Sequence, residues 1–143
     1  MTISGKRNKK EADLAALLAR TEGEPIASFL KIKVLELSPG FARVTMKMQP
    51  EYLNFNDVVF GSIIMAVADY AFSLAINSLN MPSLATQFNI HLLSPAVVGD
   101  ELFAEGRVLH DGRRVGISEM TVTNQTGKLI AKATGTTVPP LVE

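Results

Sequence analysis

The sequence from Ser62 to Leu79 reads SIIMAVADYAFSLAINSL, and this stretch decides the fold. It contains neither glycine nor proline and is apolar around nearly its whole circumference, which predicts one long buried helix. Small side chains keep parts of the helix surface thin, so a sheet can approach it closely and wrap around it. These small residues are Ala66, Ala68, Ala71 and Ala75.

A membrane-spanning helix is the competing interpretation of the same stretch. Asp69 stands at its centre, Ser73 and Asn77 add polar groups, and no lysine or arginine flanks it. A charged group at the centre of a bilayer is costly, and membrane helices usually carry basic residues at their ends. We therefore predict a helix inside a globular domain and expect no membrane partner.

Segments on both sides of the helix alternate apolar and polar residues, as half-buried strands do. Upstream, residues 26–48 are expected to form a hairpin or two neighbouring strands around Pro39 and Gly40. Residues 49–57 contain a proline and two asparagines and are predicted to form a loop. Downstream, four strands are predicted as an antiparallel meander, the last three joined by hairpin turns: 84–93, 101–109, 115–123 and 128–137.

These elements predict an α+β domain in which a curved antiparallel sheet of about six strands wraps around one long central helix. Leu14, Leu17 and Leu18 recur at helical spacing and predict a short N-terminal helix that ends before Gly23. We expect residues 1–25 to form a basic N-terminal segment with this helix, and residues 26–143 to form a single domain.

Composition narrows the classes of function. The 143 residues include 14 basic and 14 acidic side chains, so the chain has no net charge to attract nucleic acid. The absence of cysteine excludes disulfides, thiolate metal sites and cysteine nucleophiles. No motif for zinc, nucleotide phosphates or a serine nucleophile is present, and we expect neither a metal nor a cofactor. The basic N-terminus lacks the apolar stretch of a secretion signal, which favours a cytoplasmic location.

Asp69 is the only charged residue between Asp57 and Asp100. A carboxylate buried without a partner costs several kcal/mol, so its place in an apolar helix marks it as a candidate functional group. The alternative is a carboxylate that bonds to nearby backbone or reaches solvent at a sheet edge.

The start of the helix supplies a second candidate. Free backbone N–H groups and the positive end of the helix dipole suit an oxyanion, and Gly61 lets a ligand approach the backbone closely. Gly61 and Asp69 lie about 12 Å apart along one helix, which is too far for both to act on one carbonyl group. If both serve one reaction, they come from two chains whose helices pair antiparallel across a two-fold axis.

Short motifs stand in a fixed order along nearly the whole domain, from about Ile26 to Thr137. They are YLN (52–54), FGS (60–62), AD (68–69), NS (77–78), IHLLSPA (90–96), GD (99–100), RVG (114–116) and Asn124. In this order they resemble the hotdog-fold acyl-CoA thioesterases. The closest resemblance is to the phenylacetate-pathway (PaaI-like) type, which is related to the 4-hydroxybenzoyl-CoA thioesterases.

The resemblance implies hydrolysis of an acyl-CoA thioester, with coenzyme A as part of the substrate. It implies that Asp69 activates water or attacks the thioester carbonyl, while the Gly61 N–H of the neighbouring subunit holds the oxyanion. It further implies that Asn54 positions the thioester or the water, and that Ser73 assists on the helix face of Asp69. A homodimer would form each active site, and the resemblance implies a homotetramer.

Other residues are expected to contact the substrate. Arg113 and Arg114 lie at a predicted hairpin, where guanidinium groups match the phosphates of coenzyme A; solvated turn charges are the alternative. The remaining candidates for the substrate pocket are Phe60, Ser62, Met65, Phe72 and Phe88.

Phe60 departs from the family pattern, in which His-Gly-Gly usually opens the helix. The missing histidine leaves open a hotdog protein that binds acyl-CoA without hydrolysing it, as a sensor or carrier. A third interpretation is a hydratase or dehydratase, which would pair a histidine with a carboxylate. His91 in a strand and His110 in a turn are the two histidines of the sequence, and neither stands at the helix start.

Overall fold

The computed structural model describes residues 13–139 of the chain. Along the chain, the helices and strands are α1 (13–21), α2 (Pro25–Leu30), β1 (Lys33–Ser38), β2 (Phe41–Lys47), α3 (Gly61–Asn77), β3 (Leu84–Leu92), β4 (Glu101–Asp111), β5 (Gly116–Thr123) and β6 (Leu129–Val138). A short 3-10 turn at Pro50–Tyr52 lies between β2 and α3. The observed ends of α3 and of β3 to β6 lie within two residues of the predicted ones.

The six strands form one antiparallel sheet in the order β1-β2-β4-β5-β6-β3. Strands β4, β5 and β6 form the predicted meander, but β3 pairs with β6 and not with its successor β4. The chain therefore leaves β2, runs through α3 across the sheet and returns at the far edge as β3. This topology confirms the predicted α+β fold, with a six-stranded sheet around one central helix.

Helix α3 packs on one face of the sheet, chiefly against β2, β4 and β5. A Cβ atom added to Gly106 of β4 would lie 2.6 Å from the Ala71 carbonyl oxygen, so sheet and helix backbones nearly touch there. A Cβ on Gly135 of β6 would lie 2.5 Å from Cζ of Phe72. The close approach of the sheet that was predicted from the small alanine side chains therefore occurs at Ala71. The glycines of β4 and β6 permit it because they have no side chain in the way.

The prediction that α3 is buried all round is wrong for a single chain. Ser62, Asp69 and Ser73 are exposed, and Met65 and Ala66 between them are half-buried. Their spacing places them on one face of the helix, opposite the face that meets the sheet. Asp69 was expected inside the core, but residues 13–139 of one chain leave it in contact with solvent. Within this described part, no helix is both long and apolar enough to cross a membrane.

The segment beginning at Ile26 is helical before it becomes a strand. Pro25 stands in the first turn of α2. Proline has no N–H, and this costs little here because the N–H groups of a first helical turn have no acceptor within the helix. Lys31 ends the helix in the left-handed conformation, with a φ of 57°. The hairpin expected over residues 26–48 therefore starts only at Lys33, because six residues are too few to show a helical period.

Candidate active site

Gly61 is the first residue of α3 and follows an extended Phe60 with φ −57° and ψ 128°. A Cβ at this position would lie 2.8 Å from Cδ1 of Leu92, so the missing side chain makes room for the end of β3. Among the described residues, the N–H groups of Gly61 and Ser62 donate to no protein acceptor, as expected in the first turn of a helix. They leave two donors at the positive end of the helix dipole.

A cleft of about 310 Å³ opens at this helix start, and we call it the Gly61 cleft. The loop before α3, the first turns of α3 and the end of β3 form its walls. Its lining residues are Asn54, Val58, Val59, Gly61, Ile64, Leu92, Leu93, Ser94 and Pro95.

Asn54 holds the loop on one side of the Gly61 cleft. Its Oδ1 accepts hydrogen bonds from the N–H groups of Asn56 at 2.9 Å and Val58 at 3.3 Å. Its own N–H donates to the Val58 carbonyl at 2.8 Å. Within residues 13–139, the side-chain Nδ2 donates to no protein acceptor. The oxygen of Asn54 therefore organises the loop, while its amide nitrogen remains a donor in the cleft.

Asp69 lies two turns further along α3, on the exposed face. Packing around the helix removes part of the hydration of the carboxylate, and this desolvation raises the pKa of Asp69 above its ordinary value. In the described part of the chain, no side chain or backbone group forms a hydrogen bond or an ion pair with it. A carboxylate with a raised pKa accepts a proton from water more readily than an ordinary aspartate.

One chain does not bring Gly61 and Asp69 together. They are eight residues apart on a single helix, about 12 Å along its axis, and Asp69 is not among the residues lining the Gly61 cleft. The chain instead holds the candidate residues in two separate groups, which we call half-sites. Asn54 and Gly61 share the cleft, whereas Asp69 and Ser73 lie one turn apart on the exposed face.

The remaining predicted contact residues on α3 occupy different environments. Phe60 is 53% exposed and lines a groove of about 340 Å³ with Phe55 and Ile63, beside the Gly61 cleft. Ser62 and Met65 lie on the exposed face of α3.

The structure places Phe72 in the core of the chain, where its ring is fully buried. It meets Phe88 of β3 edge-on, with 5.9 Å between the ring centroids. Phe88 is half-buried and points inward from the sheet edge. Both rings therefore stabilise the contact between α3 and the sheet within one chain.

Arg113 and Arg114 are exposed in the turn between β4 and β5. A Cβ on the following Gly116 would lie 3.0 Å from Cδ1 of Ile76, which places this turn beside the last turn of α3. The two arginines and the Gly61 cleft thus lie at opposite ends of the helix. Over residues 13–139, no three histidine, aspartate or glutamate side chains group as they would around a metal ion.

The contact between Tyr70 and Glu24 was not predicted from the sequence. The Tyr70 hydroxyl donates to Oε2 of Glu24 at 2.7 Å, and burial raises the pKa of this tyrosine well above its ordinary value. The bond ties the start of α2 to α3 directly beside Asp69. A tyrosine in an apolar helix needs a hydrogen-bond partner for its hydroxyl, so its presence at position 70 could have indicated a polar contact from another element.

Known proteins share the sequence pattern and the fold of this chain. Residues 56–131 match the Thioesterase superfamily. The acyl-coenzyme A thioesterase PaaI of Escherichia coli is 33% identical over 113 residues, covering 79% of this chain and 81% of that protein.

Two solved structures extend the comparison to three dimensions. The E. coli PaaI protein from the phenylacetic acid degradation operon superposes with a TM-score of 0.84 at 29% identity, covering 94% of this chain and 95% of that one. A Streptococcus mutans protein, solved bound to acetyl CoA, superposes with a TM-score of 0.74 at 29% identity, covering 76% and 88%. The chain therefore belongs to the thioesterase superfamily, as a PaaI-like thioester hydrolase with the hotdog fold.

Proposed function

We propose that this protein hydrolyses an acyl-CoA or aryl-CoA thioester to a free acid and coenzyme A. One observation carries the proposal: a single helix presents the N–H donors of Gly61 and Ser62, which have no acceptor among residues 13–139, and a carboxylate with a raised pKa at Asp69. A thioester hydrolase needs these two kinds of group, one for the developing oxyanion and one for the attacking water. The relative named as an acyl-coenzyme A thioesterase and the fold neighbour bound to acetyl CoA support coenzyme A as the thiol.

Each active site in this proposal combines two chains. Antiparallel pairing of two α3 helices across a two-fold axis sets Asp69 of one subunit beside Gly61 of the other. The exposed face of α3 is the part of the helix that such pairing covers, and it carries Ser62, Asp69 and Ser73. Covering this face removes further water from the Asp69 carboxylate and raises its pKa further.

The reaction follows from these positions. The thioester oxygen accepts a hydrogen bond from the Gly61 N–H, which stabilises the negative charge that develops on it. Asp69 removes a proton from water as the water oxygen attacks the carbonyl carbon. The C–S bond then breaks, the thiolate of coenzyme A takes up the proton, and the free acid leaves. In the alternative route the Asp69 carboxylate attacks the carbonyl carbon, the C–S bond breaks and coenzyme A leaves as its thiolate. Water then hydrolyses the resulting anhydride, which releases the free acid, returns the Asp69 carboxylate and supplies the proton that the thiolate takes up.

The other predicted residues assist these steps. Asn54 presents its amide donor in the same cleft as Gly61 and orients the thioester oxygen or the water. Ser73, one turn from Asp69, offers a hydroxyl to the same reacting centre. Arg113 and Arg114, on an exposed turn, are our candidates for the phosphates of coenzyme A. We expect the assembly to be a homotetramer built from such dimers.

Phe60 stands where the family usually has a histidine, which gives the rival function of acyl-CoA binding without hydrolysis. The proposed chemistry uses the Gly61 N–H and the Asp69 carboxylate, and Phe60 changes neither group. Its ring instead adds apolar surface beside the cleft.

The deciding experiment measures thiol release from acetyl-, hexanoyl-, octanoyl- and phenylacetyl-CoA, with calorimetric binding of each compound alongside. We expect thiol release from at least one of them. Binding without thiol release would establish the sensor or carrier instead. An absorbance change with an enoyl-CoA, again without thiol release, would establish the hydratase.

A further inference from the structure

A second pocket lies between the N-terminal helix and the second half of α3, and we call it the α1–α3 pocket. Its volume is about 370 Å³, at the small end of the range for ligand pockets of roughly 300–1,000 Å³. Leu17 and Thr21 belong to its α1 wall, Ser73 and Asn77 to its α3 wall, and Leu84 of β3 also lines it. Arg20 and Glu24 add charged groups on the α1 side, and Leu74 and Pro82 add apolar ones.

The α1–α3 pocket continues the exposed face that carries Asp69. Ser73 lines the pocket and lies one turn from Asp69, with both side chains on the same side of the helix. The pocket extends along α3 as far as Asn77, about 12 Å along the helix axis from Asp69. A chain attached to a carbonyl group at Asp69 can therefore run along α3 into this pocket.

Specific contacts hold the α1 wall in place. Tyr70 is nearly buried, and its hydroxyl donates to Glu24 at 2.7 Å, which ties the connection between α1 and α2 to α3. Nη1 of Arg20 donates to Sδ of Met81 at 3.6 Å, which links α1 to the segment before β3. Leu17 is only 7% exposed, so it is packed into the structure. Helix α1 is thus a fixed wall that limits the space beyond Ser73.

We infer that the far end of the acyl group occupies the α1–α3 pocket of the subunit that supplies Asp69, and that Leu17 limits the length of acyl group accepted. This inference rests on the proposed function. The substrate class it names is acyl groups with an apolar body of medium length or a single ring. An acetyl group lacks the length to run along α3 from Asp69 towards Asn77, whereas the α1 wall limits the room for a long fatty acyl chain.

Substitutions at Leu17 test the inference. Leu17→Phe narrows the pocket and Leu17→Ala widens it, while Leu18→Ala is the matched control, because Leu18 is 40% exposed and does not line the pocket. The measurement is kcat/KM for acetyl-, hexanoyl-, octanoyl-, dodecanoyl- and palmitoyl-CoA. We expect Leu17→Phe to lower octanoyl-CoA turnover about tenfold relative to acetyl-CoA. Leu17→Ala should shift the preference towards dodecanoyl-CoA, and Leu18→Ala should keep the wild-type preference.

A second variant narrows the same pocket from another position, so the test remains decisive if Leu17→Phe fails to fold. Thr21 lines the same pocket and is half-buried, and among the described residues its hydroxyl donates only to the Leu18 carbonyl, within α1. Thr21→Phe should therefore narrow the pocket with little effect on folding and reproduce the shift towards short acyl groups.

The outcomes separate this inference from the function on which it rests. If the wild type releases thiol but folded Leu17→Phe and Thr21→Phe keep its acyl preference, the α1–α3 pocket does not hold the acyl group. If the wild type releases thiol from no acyl-CoA, the proposed function itself is wrong, and the inference falls with it.

Discussion

In the proposed function, the two ends of the exposed face of α3 contribute to the reaction in different ways. At the first turn, the candidate groups are the backbone N–H groups of Gly61 and Ser62. Leu92 packs closely against Gly61, so a side chain at position 61 would press against it. Two turns later, Asp69 provides a side-chain carboxylate whose pKa is raised by loss of hydration. The first half-site therefore depends on the backbone and its close packing, and the second depends on charge and solvent.

This difference means that the half-sites can be perturbed independently. A change at position 61 acts by removing the N–H group or by adding a side chain, whereas a change at position 69 acts by removing a charge. Because a rigid helix keeps them about 12 Å apart, activity also requires a second copy of the chain under the proposed function. The following predictions test each half-site and then their combination.

The largest effect is expected for Asp69→Asn. Loss of the general base should lower kcat/KM by about a hundred- to ten-thousand-fold. The melting temperature should change by less than about 2 °C, because Asp69 is exposed and its charge is partly desolvated. Asp111→Asn is the control: this exposed carboxylate at the end of β4 accepts a hydrogen bond from Asn80 at 2.6 Å, which an asparagine oxygen can also accept, and the variant should keep wild-type activity. Wild-type turnover in a folded Asp69→Asn protein would remove Asp69 from the mechanism.

Gly61→Pro and Gly61→Ala form a matched pair at the other half-site. Both add a Cβ against Cδ1 of Leu92, a flexible side-chain end, but only proline removes the N–H group. The first helical position accepts proline, and the extended backbone of Phe60 suits a residue before proline. We expect Gly61→Pro to lower kcat about 100- to 1,000-fold, with a much smaller loss in Gly61→Ala. Equal losses in the two variants would show that the N–H group is not the functional element.

Mixing the two inactive variants tests whether the half-sites combine across chains. In a mixed dimer of Gly61→Pro and Asp69→Asn, one site collects both changes and the other collects neither. Unfolding and refolding an equal mixture should restore roughly a quarter of the wild-type sites under random pairing. Circular dichroism and sizing of each variant are the controls. If both variants fold and exchange subunits but regain no activity, each site lies within one chain.

Asn54 permits a smaller test, because its two side-chain groups have different tasks. Asn54→Asp keeps the oxygen that accepts from Asn56 and Val58 and replaces the amide donor. We expect about a tenfold loss of kcat/KM from the missing donor, with the melting temperature retained. Asn54→Ala should show the same loss of activity and also melt about 2–4 °C lower, because two backbone donors lose their acceptor. Full activity in Asn54→Asp would limit Asn54 to holding the loop.

The pH dependence sharpens the description of Asp69 itself. A general base acts in its ionised form, so activity should be present above its pKa and lost as the pH falls through it. Desolvation raises the pKa of Asp69, so the acidic limb of kcat/KM should lie at a higher pH than an ordinary aspartate gives. The residual activity of Asp69→Asn should lack this limb. A wild-type limb at or below the ordinary aspartate pKa would contradict the desolvated site.

The elements and their order follow from local sequence patterns. The apolar stretch predicts α3, and the alternation after Pro82 predicts β3 to β6, each within two residues of its observed ends. These patterns are local because side chains return to the same face every 3.6 residues in a helix and every 2 residues in a strand. Helix α2 was not predicted because its six residues are too few to show a helical period. The candidates Gly61 and Asp69 were identifiable for a similar reason, since a glycine at a helix start and a lone charge in an apolar stretch are visible without the fold.

Strand pairing and the exposure of each helix face were decided by the tertiary structure. The pairing of β3 with β6 depends on contacts between distant residues, and no local period encodes it. An apolar helix with alanines on several faces does not specify which face meets a sheet. Gly106 and Gly135 bring the sheet against Ala71 and Phe72, and this contact leaves Asp69 on the opposite side, in contact with solvent. The packing of distant glycines thus determined the environment of a carboxylate that the sequence had already identified as a candidate.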